Sequence, residues 1–410
     1  MKYFVIAGEA SGDLHASNLM QALQREDPAA AFTFIGGDLM TAAASGSSQA
    51  APGSGRSTDA DDAGNEPAAA GNGRSTDTAL TTPLFHFREM NFMGVTAVLA
   101  NFRKLSGILQ HTKKAIIAED PDVVILVDYA GFNLRIAKYA RRRGLKVFYY
   151  ISPKVWAWRK SRVKALKKYV DRLFVIFPFE VDFFREQGME VEYHGNPLMD
   201  VVQAFEQVRP SRAAFLAAHR LDERPVIALL AGSRRQEINS CLPEMIKATA
   251  AFPEYQFVVA GAPSVDRELY DQHLAGTGIG IVFDQAYALL SHARAAVVTS
   301  GTATLETALL GVPQVVIYKT GPLTYRIGKL FVTFRFFSLV NLVLGRELVK
   351  EFLQTGLSGK VEKELKRILN DRDHQLMITT GYAQIREMLG VPGVAGRVAE
   401  GMIAEMKKEV

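Results

Sequence analysis

Apolar residues fall into short runs separated by amphipathic stretches, and this alternation occurs twice along the chain. Residues 3–7, 32–35, 123–127, 147–150 and 172–175 are dominated by aliphatic, β-branched and aromatic side chains. Runs of four or five such residues read as buried strands. Residues 15–25, 98–119 and 134–143 instead repeat their apolar positions every three or four residues, the period of a helix. His194-Gly195-Asn196-Pro197 marks a turn into a linker. A second cycle follows, with strands at 226–230, 255–259, 280–283, 295–299 and 314–317 and helices at 237–251, 286–293 and 303–310. Strand alternating with helix argues a parallel sheet covered on both faces. The pattern therefore predicts an α/β protein of two Rossmann-like domains whose parallel sheets face a central cleft. The first domain is expected at 1–200 and the second at 201–375, with helices in 376–410 packing back toward the first.

Three stretches break the pattern. Residues 41–82 are almost all Ala, Gly, Ser, Thr and Asp, and Arg-Ser-Thr-Asp occurs twice, at 56–59 and 74–77. That composition buries too little to offset its ordering entropy, so it reads as a poorly ordered surface insert. Residues 323–340 are apolar and cationic at once, and 91–105 are similarly apolar. Each reads either as cover for a domain or as a surface that meets lipid.

Composition narrows the setting. A chain of 410 residues, 48% apolar, has ample core for two or three domains. One cysteine, Cys241, excludes a disulfide framework and fits a reducing compartment. No basic segment leads into a cleavage site, and no apolar run reaches the roughly 20 residues of a membrane span. Neither a signal peptide nor a span is expected. The net charge of +5 is concentrated at 138–146, 154–168 and 319–346. No zinc-ligand spacing or RNA-binding aromatic signature accompanies these clusters, so anionic lipid or a phosphorylated substrate is expected as partner and nucleic acid is not.

Candidate chemistry gathers at strand ends, where parallel sheets bind ligands. Gly8-Glu9-Ala10-Ser11-Gly12-Asp13 joins the first strand to a helix start, a seat for a phosphate or a sugar. Glu9, Asp13 and His15 crowd this turn. Asp128 ends the strand 123–127, well placed as a general base, although a helix cap would use the same residue type. In the second half, Gly232-Ser233-Arg234 follows a strand, and a guanidinium there can grip diphosphate oxygens. Ser300-Gly301-Thr302 opens another helix, with Thr304 and Glu306 in its first turns. Asp128 has no partner in a D-x-D arrangement, so no metal and no cofactor are expected.

Taken together, residues 8–16, Asp128-Tyr129-Ala130-Gly131-Phe132-Asn133 and Ser152-Pro153-Lys154-Val155-Trp156-Ala157-Trp158-Arg159 resemble the lipid-A-disaccharide synthases. So do Gly232-Ser233-Arg234, residues 300–306 and Asn341-Leu342-Val343-Leu344-Gly345-Arg346-Glu347-Leu348. The blocks keep the family's order from residue 1 to about 355. The resemblance implies an inverting glycosyltransferase of the two-Rossmann-domain type, moving a diacylglucosamine from UDP-2,3-diacylglucosamine onto 2,3-diacylglucosamine-1-phosphate. It implies Asp128 as base; Gly131 stands where some members carry a second Asp. It implies donor contacts from Gly232, Ser233, Arg234, Ser300, Gly301, Thr302, Thr304, Glu306, Asn341, Arg346 and Glu347. For the acceptor it implies Glu9, Ser11, Gly12, Asp13, Asn133, Trp158 and Arg159. The expected setting is the cytoplasmic side of the inner membrane, peripherally bound; a homodimer is left open. The insert departs from the family, where the connection is shorter. A UDP-sugar epimerase of similar build and an inactive sugar-nucleotide-binding protein are the competing readings.

Overall fold

The computed structural model describes residues 1–46, 82–89, 102–153, 161–321 and 335–408. Most of the low-complexity stretch, both Arg-Ser-Thr-Asp segments, residues 90–101, the block 154–160 with Trp156, Trp158 and Arg159, and residues 322–334 lie outside them.

Six strands form the first sheet: β1 (Lys2–Ala7), β2 (Ala31–Ile35), β3 (Val123–Val127), β4 (Lys146–Tyr150), β5 (Arg172–Val175) and β6 (Glu192–Tyr193). Their order is β2-β1-β3-β4-β5-β6, and every pair is parallel. Six more form the second: β7 (Val226–Leu230), β8 (Gln256–Gly261), β9 (Gly280–Phe283), β10 (Ala293–Thr299), β11 (Gln314–Tyr318) and β12 (Glu351–Leu353). Their order, β12-β11-β10-β7-β8-β9, is again wholly parallel. The strand order reverses between β1 and β3 in one sheet and between β7 and β10 in the other. At such reversals the connecting helices leave on opposite faces, and a crevice opens beyond the strand ends.

The central strands are apolar throughout because both faces are covered. Tyr3, Val5, Val123, Ile125, Phe148 and Tyr150 point to one face of the first sheet, against the helices Ala10–Glu26 and Val394–Lys407. Phe4, Ile6, Val124, Leu126, Val147 and Tyr149 point to the other, against Phe102–Glu119, Ala130–Arg142 and Ser161–Tyr169. The alternation is the two-residue period of a strand.

The low-complexity composition begins at residue 41, yet the helix Asp38–Ala44 runs through it and buries Ala42 and Ala43. Small residues suffice there because the helix lies close on Ala10–Glu26. Residues 82–89 also join the fold: Leu84 N–H donates to Phe34 O at 2.9 Å, and Gly36 bridges His86.

The chain crosses between the halves twice. It leaves the first sheet through 194–197 and returns through 390–393, after the helix Arg372–Leu389. The two crossings hold each other: Asn196 N–H donates to Leu389 O at 2.9 Å. Arg397 donates to His194 O at 3.0 and 3.1 Å. Asp200 accepts from the N–H groups of Gly393, Val394 and Ala395 at 2.5, 3.1 and 3.0 Å, capping the helix Val394–Lys407. Gly195 has φ +109, and a Cβ there would lie 3.0 Å from Val394 Cγ2 and 3.1 Å from Leu389 O. Only glycine fits the crossing point.

Candidate active site

At the first reversal, the turn after β3 is built without glycine. Asp128 and Tyr129 both have φ +45, the left-handed region that costs an ordinary side chain of order 1 kcal/mol or more. Buried bonds hold it there. Asn133, fully buried, donates through Nδ2 to Asp128 O at 2.9 Å and Val127 O at 3.1 Å. Tyr149 donates its hydroxyl to the same Asp128 carbonyl. The Asp128 side chain is half-buried. Across the reversal, the Tyr129 ring covers Gly8 so closely that a Cβ would meet it at 2.3 Å. Glu9 begins the next turn, half-buried. Burial, and then the charge of Glu9, push the Tyr129 phenol up to about 12.

The other residues of that turn divide sharply. Ser11 is exposed beside Glu9. Gly12 is buried, and a Cβ there would lie 3.4 Å from Ala7 Cβ. Asp13 is 3% exposed, and its carboxylate faces inward. Oδ1 accepts from Gly37 N–H at 2.6 Å and Met40 N–H at 3.3 Å, and Oδ2 from Leu39 N–H at 3.2 Å. Asp13 therefore caps the helix Asp38–Ala44. Burial raises its pKa, and these three donors oppose the rise. Asn133 likewise spends its amide on the Asp128 turn rather than on open space. His15 is buried with Nδ1 unpartnered, and burial lowers its pKa to about 4.

At the second reversal the turns are exposed. After β7, Gly232 at φ +106 curls the chain so that Glu237, in the first turn of the helix Arg235–Thr249, sits inside the loop. Glu237 Oε2 accepts from Ser233 N–H at 3.2 Å, and Oε1 pairs with Arg234 at 3.4 Å. The Arg234 side chain is 54% exposed. After β10, Gly301 and Thr302 open the helix Thr302–Leu309 at the surface, while Ser300 donates Oγ–H to Phe337 O at 2.7 Å. Thr304 is buried and ties its hydroxyl to Gly301 O at 2.8 Å. Glu306 accepts from the buried Tyr287 hydroxyl at 3.0 Å. Burial raises the pKa of Glu306, and the Tyr287 donor offsets part of that.

The block at 341–347 is tied into the fold by its own hydrogen bonds. Asn341 is fully buried; Nδ2 donates to Val349 O and Glu351, and Oδ1 accepts from Leu348 and Val349 N–H. It clips the loop ahead of β12. The short helix Leu339–Leu344 starts just after Phe337, whose carbonyl Ser300 holds, and Arg346 and Glu347 follow its end. There Arg346 bonds Gln384 at 2.9 Å, and Glu347 pairs with Lys350 at 3.1 Å.

The family described as lipid-A-disaccharide synthetase matches residues 73–388. A lipid-A-disaccharide synthase of Geobacter metallireducens is 37% identical over 99% of this chain and 97% of its own length. One from Syntrophus aciditrophicus is 36% identical over 98% and 97%. The chain belongs to the lipid-A-disaccharide synthase family. Lipid-A-disaccharide synthases are glycosyltransferases, so the chain is an enzyme of that class. Among solved structures, a UDP-GlcNAc 2-epimerase from Neisseria meningitidis superposes with a TM-score of 0.65 at 12% identity, covering 98% of this chain and all of its own. The calicheamicin glycosyltransferase CalG4 follows at 0.55 and 14%, covering 98% and 97%. These likenesses show the two-sheet fold alone, and the epimerase reading has no further support.

Several residues that hold these turns and their surroundings are invisible to local spacing. Tyr149 and Tyr287 sit in ordinary apolar runs. Glu351 lies in an edge strand, yet its carboxylate accepts from Phe337 N–H, Ser338 N–H and Oγ–H, and Asn341. Glu180, 1% exposed, accepts from Ser152 Oγ–H at 2.5 Å and from the N–H groups of Ile176 and Phe177. A glutamate three residues into a helix was the available signal for Glu180 and for Glu237.

Proposed function

We propose that the chain joins UDP-2,3-diacylglucosamine to 2,3-diacylglucosamine-1-phosphate, with UDP as leaving group. The acceptor's 6-hydroxyl oxygen forms a bond to the anomeric carbon of the donor sugar. The bond from that carbon to the diphosphate oxygen breaks, and its electron pair leaves with UDP. The hydroxyl proton passes to Asp128. One displacement inverts the anomeric centre. The observation that carries this reading is Asp128 itself, a carboxylate mounted on a left-handed turn that Asn133 and Tyr149 lock from behind. That strain makes sense where position matters more than stability.

The second half takes the donor. Arg234 and the turn at Ser300, Gly301 and Thr302 meet the diphosphate, and Glu306, steadied by Tyr287, meets a sugar hydroxyl. Charge built up on the leaving diphosphate is met by the guanidinium and by backbone N–H groups, which lets the reaction run without a metal. The first half takes the acceptor at Glu9, Ser11 and Gly12, with Trp158 and Arg159 as contacts for its phosphate. Asp13, Asn133, Thr304 and Asn341 serve as supports for these turns.

No helix of the described residues is long and apolar enough to cross a membrane. We infer peripheral attachment to the inner membrane through the stretch at 323–340, where Phe337 is 38% exposed and Arg335 lies over the Phe336 ring. The purified chain, given both substrates, should yield UDP and a phosphorylated disaccharide; UDP-GlcNAc alone should not be epimerised. Absence of disaccharide would overturn the reading. Anionic vesicles should sediment the protein at low salt and release it at high salt. Protein left wholly in the supernatant at low salt refutes the attachment.

A further inference from the structure

We propose that Glu237 is a positioning residue of the donor loop, fixing where Arg234 presents its guanidinium to a diphosphate. The proposal rests on the donor-site reading above and names a residue that reading does not use. One carboxylate does two things here. It accepts from Ser233 N–H at 3.2 Å, which sets the backbone of the loop, and it pairs with Arg234 at 3.4 Å, which sets the side chain. The loop is shaped around it. A Cβ on Gly232 would lie 2.5 Å from Glu237 Oε2 and 2.8 Å from Glu237 Cβ, so the turn closes on the carboxylate with no room to spare.

The exposures give the direction of action. The Glu237 side chain is 17% exposed and Arg234 is 54% exposed, so the acid lies behind and the base in front. An exposed arginine otherwise samples many rotamers and must be ordered when its ligand binds. A pairing from behind orders it beforehand. A guanidinium has five N–H donors, and one contact at 3.4 Å leaves the outer ones for phosphate oxygens. The opposite role, in which Glu237 competes with the diphosphate for Arg234, predicts tighter binding when the charge is removed.

UDP alone, titrated by calorimetry, separates these cases. Wild type, E237Q, E237A, R234A and the E237A/R234A double variant are compared, with melting temperature followed in each. E237A should weaken UDP about tenfold, the scale of one charge-assisted bond. E237Q should lose less, because its amide oxygen still accepts from Ser233. In the R234A background, removing Glu237 should change UDP affinity by under about twofold, since Glu237 acts through the arginine. Equal loss in both backgrounds would assign Glu237 to the fold alone and sink the proposal. Tighter UDP binding by E237Q would make it a competitor and sink it too. If R234A binds UDP as wild type does, the donor-site reading fails on a result in which Glu237 is untouched. Should E237A not fold, E237Q and E237Q/R234A complete the same cycle.

Discussion

The turn after β3 and the turn after β7 stand at corresponding reversals of their sheets, and they are held by opposite means. The first carries a short carboxylate on two left-handed residues, fixed by hydrogen bonds from the buried Asn133 and Tyr149. The second carries a long cation on a glycine turn, steadied by a part-exposed glutamate. A proton acceptor must sit within a fraction of an ångström of one hydroxyl, so rigid backing is useful. A diphosphate grip must reach a flexible, hydrated ligand, so an outward guanidinium serves better. One half spends stability on placement, and the other leaves its charge in water.

The sharpest test of that contrast is Asp128→Asn. Turnover should fall about a hundredfold to ten-thousandfold, because the amide keeps the shape but takes no proton. UDP affinity should stay near wild type, and retention of more than about a tenth of the activity would place the base elsewhere. Next, Arg234→Ala should weaken the donor by about 1.5–3 kcal/mol while sparing the acceptor. Equal loss for both substrates would erase the division of labour. Asn133→Ala removes two buried bonds and should lower stability by about 1–3 kcal/mol, with a fall in kcat at unchanged donor affinity. An unchanged kcat would show that the Asp128 turn holds without its latch.

Acid should weaken the first half through His15. The pKa of His15 is about 4 in the folded protein because it is buried, against about 6.5 when unfolded. The unfolded chain then binds the extra proton first, so stability present above pH 6.5 is lost as pH falls toward 4. Chemical denaturation across that window should show the loss, and His15→Asn should flatten it. An unaltered pH profile in the variant would show that His15 is not the group responsible. The smallest effect is expected from replacing residues 47–81 by a short Gly/Ser bridge, since their composition builds no core. A cooperative melt close to wild type is the expected result. The deletion must spare the helix Asp38–Ala44, whose buried alanines belong to the first half.

The long central strands were legible because both their faces are covered, which writes an unbroken apolar run. β6 and β12 were not. Two or three residues at a sheet edge, one of them Glu351, leave no such run. The helix at Ala10 starts five residues earlier than its periodicity shows, because Gly12 reads as a turn yet lies buried inside the helix. Among the site residues, spacing found the turns but not the direction of each side chain. Asp13 and Asp128 look alike after their strands. What separates them is Gly37, Leu39 and Met40, whose N–H groups claim Asp13 from more than twenty residues away. The side chain of Asn341 is likewise oriented by residues later in the chain, Leu348, Val349 and Glu351, which local spacing does not reveal.

The return of the helix Val394–Lys407 has a consequence for biosynthesis. Val394, Val398, Ala399 and Met402 share one face of the first sheet with the helix Ala10–Glu26, so their part of that face stays bare while the second half is being translated. At ordinary elongation rates that interval is on the order of ten to forty seconds. The first sheet is therefore the earliest part of the protein made and among the last to be finished. A ribosome that stalls near residue 390 would release a chain with a complete second half and an open, aggregation-prone first one. Chaperone demand during synthesis should thus depend on the final helix more than on any residue of the active site.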